Sequence, residues 1–222
     1  MIKKTENKTY AVITGDIVNS SALNNEQRTR MLSVLKTSFR EIEPTFGKKI
    51  FASDFTIFRG DSFQGVLSNP SYALEAAIYI RAALKAANPG PRKNMWDARI
   101  AIGIGKISYF PGKGSEAEGE AFHFSGPMLD TLKKTRKLHI FSSKSDFNKE
   151  MNVECHLLDI LMDKWSANQA AVVLSALSKQ HQEILAKQFS VSQPAIQKRL
   201  LYGGYSAIED FIERYKELIK RR

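Results

Sequence analysis

Cysteine is nearly absent from this chain, and so are long apolar runs, metal-binding histidine patterns and internal repeats. The single cysteine, Cys155, excludes an internal disulfide framework and fits a reducing compartment. No stretch approaches the roughly 18 consecutive apolar residues that a membrane span needs. Met1-Ile-Lys-Lys4 begins with positive charge, but Thr5-Glu-Asn-Lys-Thr9 stands where a secretory signal requires its apolar segment. Together these absences predict a cytoplasmic protein with no membrane partner. The histidines at 123, 139, 156 and 181 lack zinc spacing, and Cys155 and His156, as neighbours, cannot easily chelate one ion. Gly112-Lys-Gly-Ser115 is not a Walker loop: Ile107 stands where the first glycine belongs, and Gly114 where Ser or Thr belongs.

Acidic charge is in the minority too. Lys and Arg number 33 against 23 Asp and Glu, a formal net charge of +10. Such an excess favours an anionic partner, although a basic surface also serves solubility alone. With 222 residues, the chain is long enough for one core-bearing domain and a smaller module.

Hydrophobic spacing sets the expected elements. Tyr10 to Thr14 reads as a buried strand, and Asn25 to Ile42 as a helix carrying Met31, Val34, Leu35 and Phe39 on one stripe. Phe51 to Phe58 and Phe63 to Leu67, split by Arg59-Gly-Asp-Ser62, read as a hairpin. A helix follows from Pro70 until Asn88-Pro-Gly-Pro91 stops it, then a buried strand from Arg99 to Ile107. After a Gly- and Glu-rich loop come a helix from about Ser125 to Arg136 and a strand from Leu138 to Phe141. Gly103 and Gly105 alternate on one strand face, which points to close approach of a neighbouring backbone or a dimer partner. This order predicts an α+β protein with a ferredoxin-like βαββαβ core and helices on one face of an antiparallel sheet. Ser142 to Asp163 reads as mixed linker and helix, and Lys164 to Arg222 as wholly helical. The expected division is a front domain over 1–150 and an all-α helix-turn-helix domain over 151–222.

Two aspartates carry most of the chemical information. Asp16 lies in Gly15-Asp-Ile-Val-Asn-Ser20 and Asp61 in Gly60-Asp-Ser-Phe63, each at a strand end. A sheet can bring both carboxylates together, and two carboxylates plus phosphate oxygens suit Mg²⁺. Either Gly-Asp alone is equally a plain turn. Taken with Arg99-Ile-Ala-Ile-Gly-Ile-Gly105 and Gly119-Glu-Ala-Phe-His123, the series resembles the catalytic domain of class III nucleotide cyclases over roughly residues 8 to 140. The resemblance implies metal ligation by Asp16, Asp61 and the Ile17 carbonyl, and a triphosphate site along the backbone of Val18, Asn19 and Ser20. A tight turn entering a helix also suits an anion on its own terms. The transition-state Asn and Arg of the cyclases fall on His123 and Pro127, and a base-selecting residue falls on Ile57, with Glu116 a candidate for the second. Those departures imply nucleotide and Mg²⁺ binding without cyclase turnover. The N-terminus is also similar in character to that of the SatD-like family.

A second signal runs from Leu177 to Leu200. Ala186 stands at a helix crossing, Ser190 and Val191 at a turn, and Ile196 and Leu200 at i, i+4 anchors, with Ser192 as N-cap and Pro194 in the first turn. The pattern resembles sigma-factor-like helix-turn-helix proteins, and places Ser192, Gln193, Gln197 and Lys198 on a DNA-facing surface. The same pattern also serves a helical hairpin that only packs or dimerises. The combined expectation is a homodimeric DNA-binding transcriptional regulator with a degenerate cyclase-like sensor domain, its final helix (Ile208, Phe211, Ile212, Tyr215, Ile219) offering a packing stripe. The alternative is an active nucleotide cyclase whose C-terminal helices are a dimerisation element.

Overall fold

The computed structural model describes residues 8–47, 50–58, 60–88, 91, 94–108, 118–132 and 136–221. Its five strands are β1 (Thr9–Ile17), β2 (Phe51–Phe58), β3 (Ser62–Leu67), β4 (Ala98–Lys106) and β5 (Leu138–Ser142), in the spatial order β2-β3-β1-β4-β5. Every neighbouring pair is antiparallel except β4 and β5, which run parallel. The helices are α1 (Asn25–Phe46), α2 (Ala73–Ala87), α3 (Glu120–Thr131), α4 (Ser145–Asp163), α5 (Ala167–Leu177), α6 (Gln182–Gln188), α7 (Gln193–Tyr202) and α8 (Tyr205–Lys220).

Period-two alternation divides the sheet into two faces. Ala11, Ile13 and Ile17 of β1 and Ile100, Ile102 and Ile104 of β4 enter the large core with α1 and α2. Tyr10 and Val12 enter a smaller cluster with Ala121 of α3 on the other face. The expectation of helices on one face alone is therefore corrected. Glycine makes the second layer feasible: a Cβ on Gly103 would overlap the Ala121 carbonyl and lie 2.7 Å from the Ser125 amide, and one on Gly105 would meet Glu120. The close backbone approach expected here is what Gly103 serves, whereas Gly105 makes room for the Glu120 side chain. Gln64 Nε2 donates to Thr14 Oγ1 at 3.1 Å, and Thr14 Oγ1 to Ser125 Oγ at 3.2 Å, so α3 is also pinned by polar contacts. The helix starts at Glu120, earlier than the expected Ser125, because Gly119 with φ 152° turns the chain directly into it.

Residues 145–163 form one helix, and the boundary expected between 150 and 151 falls inside it. Amphipathic spacing explains this: Phe147, Met151, Cys155, Leu158 and Met162 are all buried at intervals of three or four. Helix α2 is buried along nearly its whole length, between the sheet and α5. The C-terminal helices thus share one continuous apolar cluster with the sheet. Trp165 Nε1 donates to the Gly203 carbonyl at 2.9 Å, and Tyr215 Oη to the Pro70 carbonyl at 2.8 Å.

A buried ionic network ties this arrangement together. Arg81, fully buried on α2, donates through Nε (2.9 Å) and Nη2 (3.1 Å) to Asp97, and through Nη1 (2.6 Å) to Asp159 of α4. Asp159 also accepts from the backbone amides of Lys137 (2.7 Å) and Leu138 (3.2 Å) at the start of β5. Lys85 adds a second cation 3.1 Å from Asp97. Burial alone would raise the Asp97 pKa, but Arg81 and Lys85 hold it far below the usual carboxylate range.

Candidate functional site

Strand β1 ends at Ile17, and its register sets Asp16 opposite Ser62 of β3 on one side and Arg99 of β4 on the other. Asp61 is the residue just before β3, and its carbonyl accepts from the Ile17 amide at 3.2 Å. The structure therefore brings the two sequence-predicted aspartates to one end of the sheet. Asp16 shares the α3 face with Thr14, while Ile17 points into the core and leaves its backbone to the site.

The turn that follows is built for compactness. Asn19 adopts φ 55° and ψ 32°, a left-handed conformation that Asn tolerates better than most residues. A 3₁₀ turn over Ser20–Ala22 then leads to Asn24, which caps α1 by accepting from the Gln27 amide at 2.9 Å. Ser20 Oγ donates to Asp61 Oδ2, closing the turn onto the acidic site. One expectation needs correcting: the Val18 amide is already donated to the Asp97 carbonyl at 2.9 Å, because residue 18 continues the β1–β4 pairing. Asn19 and Ser20 remain the candidate backbone donors for an anion.

Sequence reasoning missed Arg99. Its guanidinium forks the Asp16 carboxylate, with Nε 2.8 Å from Oδ1 and Nη2 bonded to Oδ2. Hydrogen bonding to Asp16 is the leading influence that raises the Arg99 pKa, with Asp61 and Asp130 of α3 adding to it. An arginine at the second position of a strand that is apolar or glycine from there to Lys106 was the available signal. The site is therefore an ion pair, Asp16 forked by Arg99, with the Asp61 carboxylate held by Ser20 at the same end of the sheet.

These donors fit Mg²⁺ in a limited sense. Among the described residues no three His, Cys, Asp or Glu side chains form a group able to hold a metal by themselves. Mg²⁺ commonly binds through one or two carboxylates with phosphates and waters completing its shell. Two carboxylates here match that donor count, provided that Arg99 gives up Asp16.

The remaining predicted positions are spread out. His123 and Pro127 lie exposed, one turn apart on α3, and Ile57 is half-buried on β2. Glu116 lies outside the described residues. In the C-terminal part, α6 and α7 are joined through Ser190, which takes the left-handed φ of 52° usually given to glycine. Ile196 and Leu200 are buried, while Ser192, Gln193, Gln197 and Lys198 are exposed. Ser192 occupies the N-cap position of α7, but its hydroxyl makes no capping bond. Its carbonyl instead accepts from the Ala195 and Ile196 amides.

The chain is thus a mixed α+β protein with a five-stranded sheet, and no helix among the described residues is long and apolar enough to cross a membrane. Residues 10–206 match the SatD family, and the chain belongs to that family. No curated protein matches it. Among solved structures it is similar to the catalytic core of a rhodopsin-guanylyl cyclase with converted specificity in complex with ATPalphaS. That likeness has 18% identity and a TM-score of 0.44, over 65% of this chain and 80% of the other.

Proposed function

We propose that this protein binds a magnesium nucleoside polyphosphate at the Asp16–Asp61 end of the sheet and uses that binding to regulate, with no cyclase turnover. One observation carries the reading: the Asp16, Asp61, Ser20 and Arg99 groups converge where a left-handed turn enters a helix. In the ligand-free state Arg99 supplies the positive charge that Asp16 needs. When a phosphate-bearing ligand brings its cation, Arg99 can exchange the carboxylate for phosphate oxygens, which it binds equally well as a planar fork. Asp16, Asp61 and the Ile17 carbonyl would then hold Mg²⁺, with Asn19 and Ser20 donating to the phosphates. The front strands, β2-β3-β1-β4 with every pair antiparallel, support a ferredoxin-like reading of this domain.

Turnover needs electrostatic stabilisation of the developing phosphoryl charge. His123 and Pro127, at the positions where the cyclase resemblance expects Asn and Arg, offer no guanidinium. Purified protein with ATP or GTP and Mg²⁺ or Mn²⁺ is therefore expected to yield no cyclic nucleotide. Asp61→Asn is expected to weaken nucleotide binding by about tenfold or more, since it removes a charged metal ligand. Cyclic product from the wild type, abolished by Asp16→Ala, would instead establish the cyclase alternative.

The solvent-facing line of Gln193, Gln197 and Lys198, over buried Ile196 and Leu200, favours a second element of the reading. We read α6 and α7 as a helix-turn-helix that presents this line to duplex DNA, Gln for adenine edges and Lys for guanine or phosphate. DNA affinity should fall steeply with salt. Lys198→Ala should reduce the log–log salt slope by about 1 if Lys198 neutralises a phosphate. Salt-insensitive behaviour, or no binding at low ionic strength, would leave α6 and α7 with a packing role only.

A further inference from the structure

The metal end of the proposed nucleotide site is one half of a row that crosses the antiparallel part of the sheet. Arg99 of β4 stands opposite Asp16 of β1, Asp16 opposite Ser62 of β3, and Ser62 opposite Phe58 of β2. Residues directly opposite on neighbouring strands share a face. The row therefore sets a guanidinium, a carboxylate, a hydroxyl and a phenyl ring side by side on the α3 side of the sheet. At about 5 Å per strand, Phe58 stands about 10 Å from Asp16.

Among the described residues this face is covered on one side only. Helix α3 packs on β4, β1 and β5, over the Arg99 side of Asp16. The open direction runs the other way, across Ser62 to the edge strand β2, where Thr56 and Phe58 are exposed. Phe58 is also the ring at this edge that the fold leaves unused. Phe51, Phe55 and Phe63 each contact another ring, and Ile57, where the cyclase resemblance places base selection, packs on the core of the opposite face. Among the described residues Phe58 has no such ring contact and joins neither apolar cluster, and 39% of it is exposed at the edge, where it also borders the groove between β2 and α1. Its neighbours on the α3 side are neutral: Ser62, Thr56, and opposite Thr56 the Gln64 carboxamide, fixed by its bond to Thr14.

We infer that the nucleoside of the bound polyphosphate lies across β3 and β2, its ribose passing Ser62 and its base stacked on the Phe58 ring. This rests on the magnesium–nucleotide reading of the Asp16–Asp61 end and adds where the rest of the ligand goes. Charge along the row sets the direction. Phosphates belong at Arg99 and at a cation on Asp16, whereas Ser62, Thr56, Gln64 and Phe58 offer no charge to a phosphate and suit a sugar and a base. Stacking on one ring accepts any base, because every base has a π-face. Thr56 and Gln64 are then the groups placed to read its edge.

Calorimetric titration of the full chain with Mg²⁺ and either a nucleotide (the tighter of ATP and GTP) or inorganic tripolyphosphate separates the two ends of the ligand. The nucleotide is expected to bind more tightly than tripolyphosphate. Phe58→Ala should weaken the nucleotide about five- to a hundredfold and leave tripolyphosphate unchanged. Phe58→Trp should keep nucleotide affinity, and its fluorescence should change on adding nucleotide but not tripolyphosphate. The native tryptophans, Trp96 and Trp165, are buried and leave that signal to the new indole. Equal affinity for the two ligands, or nucleotide binding untouched by Phe58→Ala, overturns the base site while magnesium–polyphosphate binding at Asp16 and Asp61 stands. Equal weakening of both ligands by Phe58→Ala overturns it as well, as a general disturbance of the sheet edge. No binding of either ligand overturns the underlying reading, and this inference with it.

Discussion

Arg81→Ala should lower the unfolding free energy by about 3–5 kcal/mol, read as a shifted urea midpoint. The substitution leaves Asp97 and Asp159 buried without the cation that each faces. Lys85 still reaches Asp97, but Asp159 keeps only the amides of Lys137 and Leu138. An uncompensated buried charge costs far more than the lost contact alone, and this arginine joins α2, the start of β4 and α4 at one point. The same network predicts an acid limit. The Asp97 pKa is depressed in the folded state, so its contribution is present above the unfolded value of about 3.9 and is lost as pH falls below it. Because the Asp97 carbonyl accepts from Val18, loosening this corner should also disturb the turn at Asn19 and Ser20.

Gly103→Val is expected to cost about 3 kcal/mol, at the upper end of the usual penalty for overpacking. The added carbon would run into the backbone carbonyl of Ala121 and approach the Ser125 amide, and backbone cannot turn aside as a flexible side chain can. Helix α3 would have to lift from the sheet and release the Thr14–Ser125 hydrogen bond. Gly126→Ala, in the same helix, is the control. Its Cβ would meet nothing within 4 Å. It should therefore stabilise the protein by up to about 1 kcal/mol through helix propensity. Opposite signs from two glycines in contact with one helix separate close packing from a general intolerance of side chains.

Local pattern made much of this fold readable. The alternation of Ile100, Ile102 and Ile104 with Ala101, Gly103 and Gly105 identified β4 and showed that something approached one of its faces. It could not show that the neighbour is α3, because that depends on which face of the sheet the chain returns to after β4. The run from Ser142 to Asp163 reads as mixed since polar Asn148, Asn152 and Glu154 interrupt it. Its buried residues still keep helical spacing, and packing on β5 completes the helix. The ionic network was invisible for a different reason. Arg81, Asp97 and Asp159 are far apart in sequence, and charged residues are expected at the surface unless a structure pairs them.

The candidate site divides in the same way. Asp16 and Asp61 stood out because each is a Gly-Asp at the end of a β-branched or aromatic run. Asn19 could be recognised as a turn residue, but not as left-handed. Arg99 was passed over because an arginine opening a strand has many uses. Its bond to Asp16 depends on the antiparallel register of β1 with β4, which places the two directly opposite. The Val18 amide was misjudged for the same reason, since its partner, Asp97, is fixed by that register.

The most direct test is isothermal titration calorimetry of the full chain with ATP and with GTP, each with Mg²⁺ and with the metal chelated. Saturable binding of at least one nucleotide is expected, dependent on Mg²⁺ and weakened by Asp61→Asn in a protein that melts like the wild type. No heat of binding for either nucleotide in the presence of Mg²⁺, or binding unchanged by chelation and by Asp61→Asn, would contradict the assignment of this sheet end as a magnesium–nucleotide site.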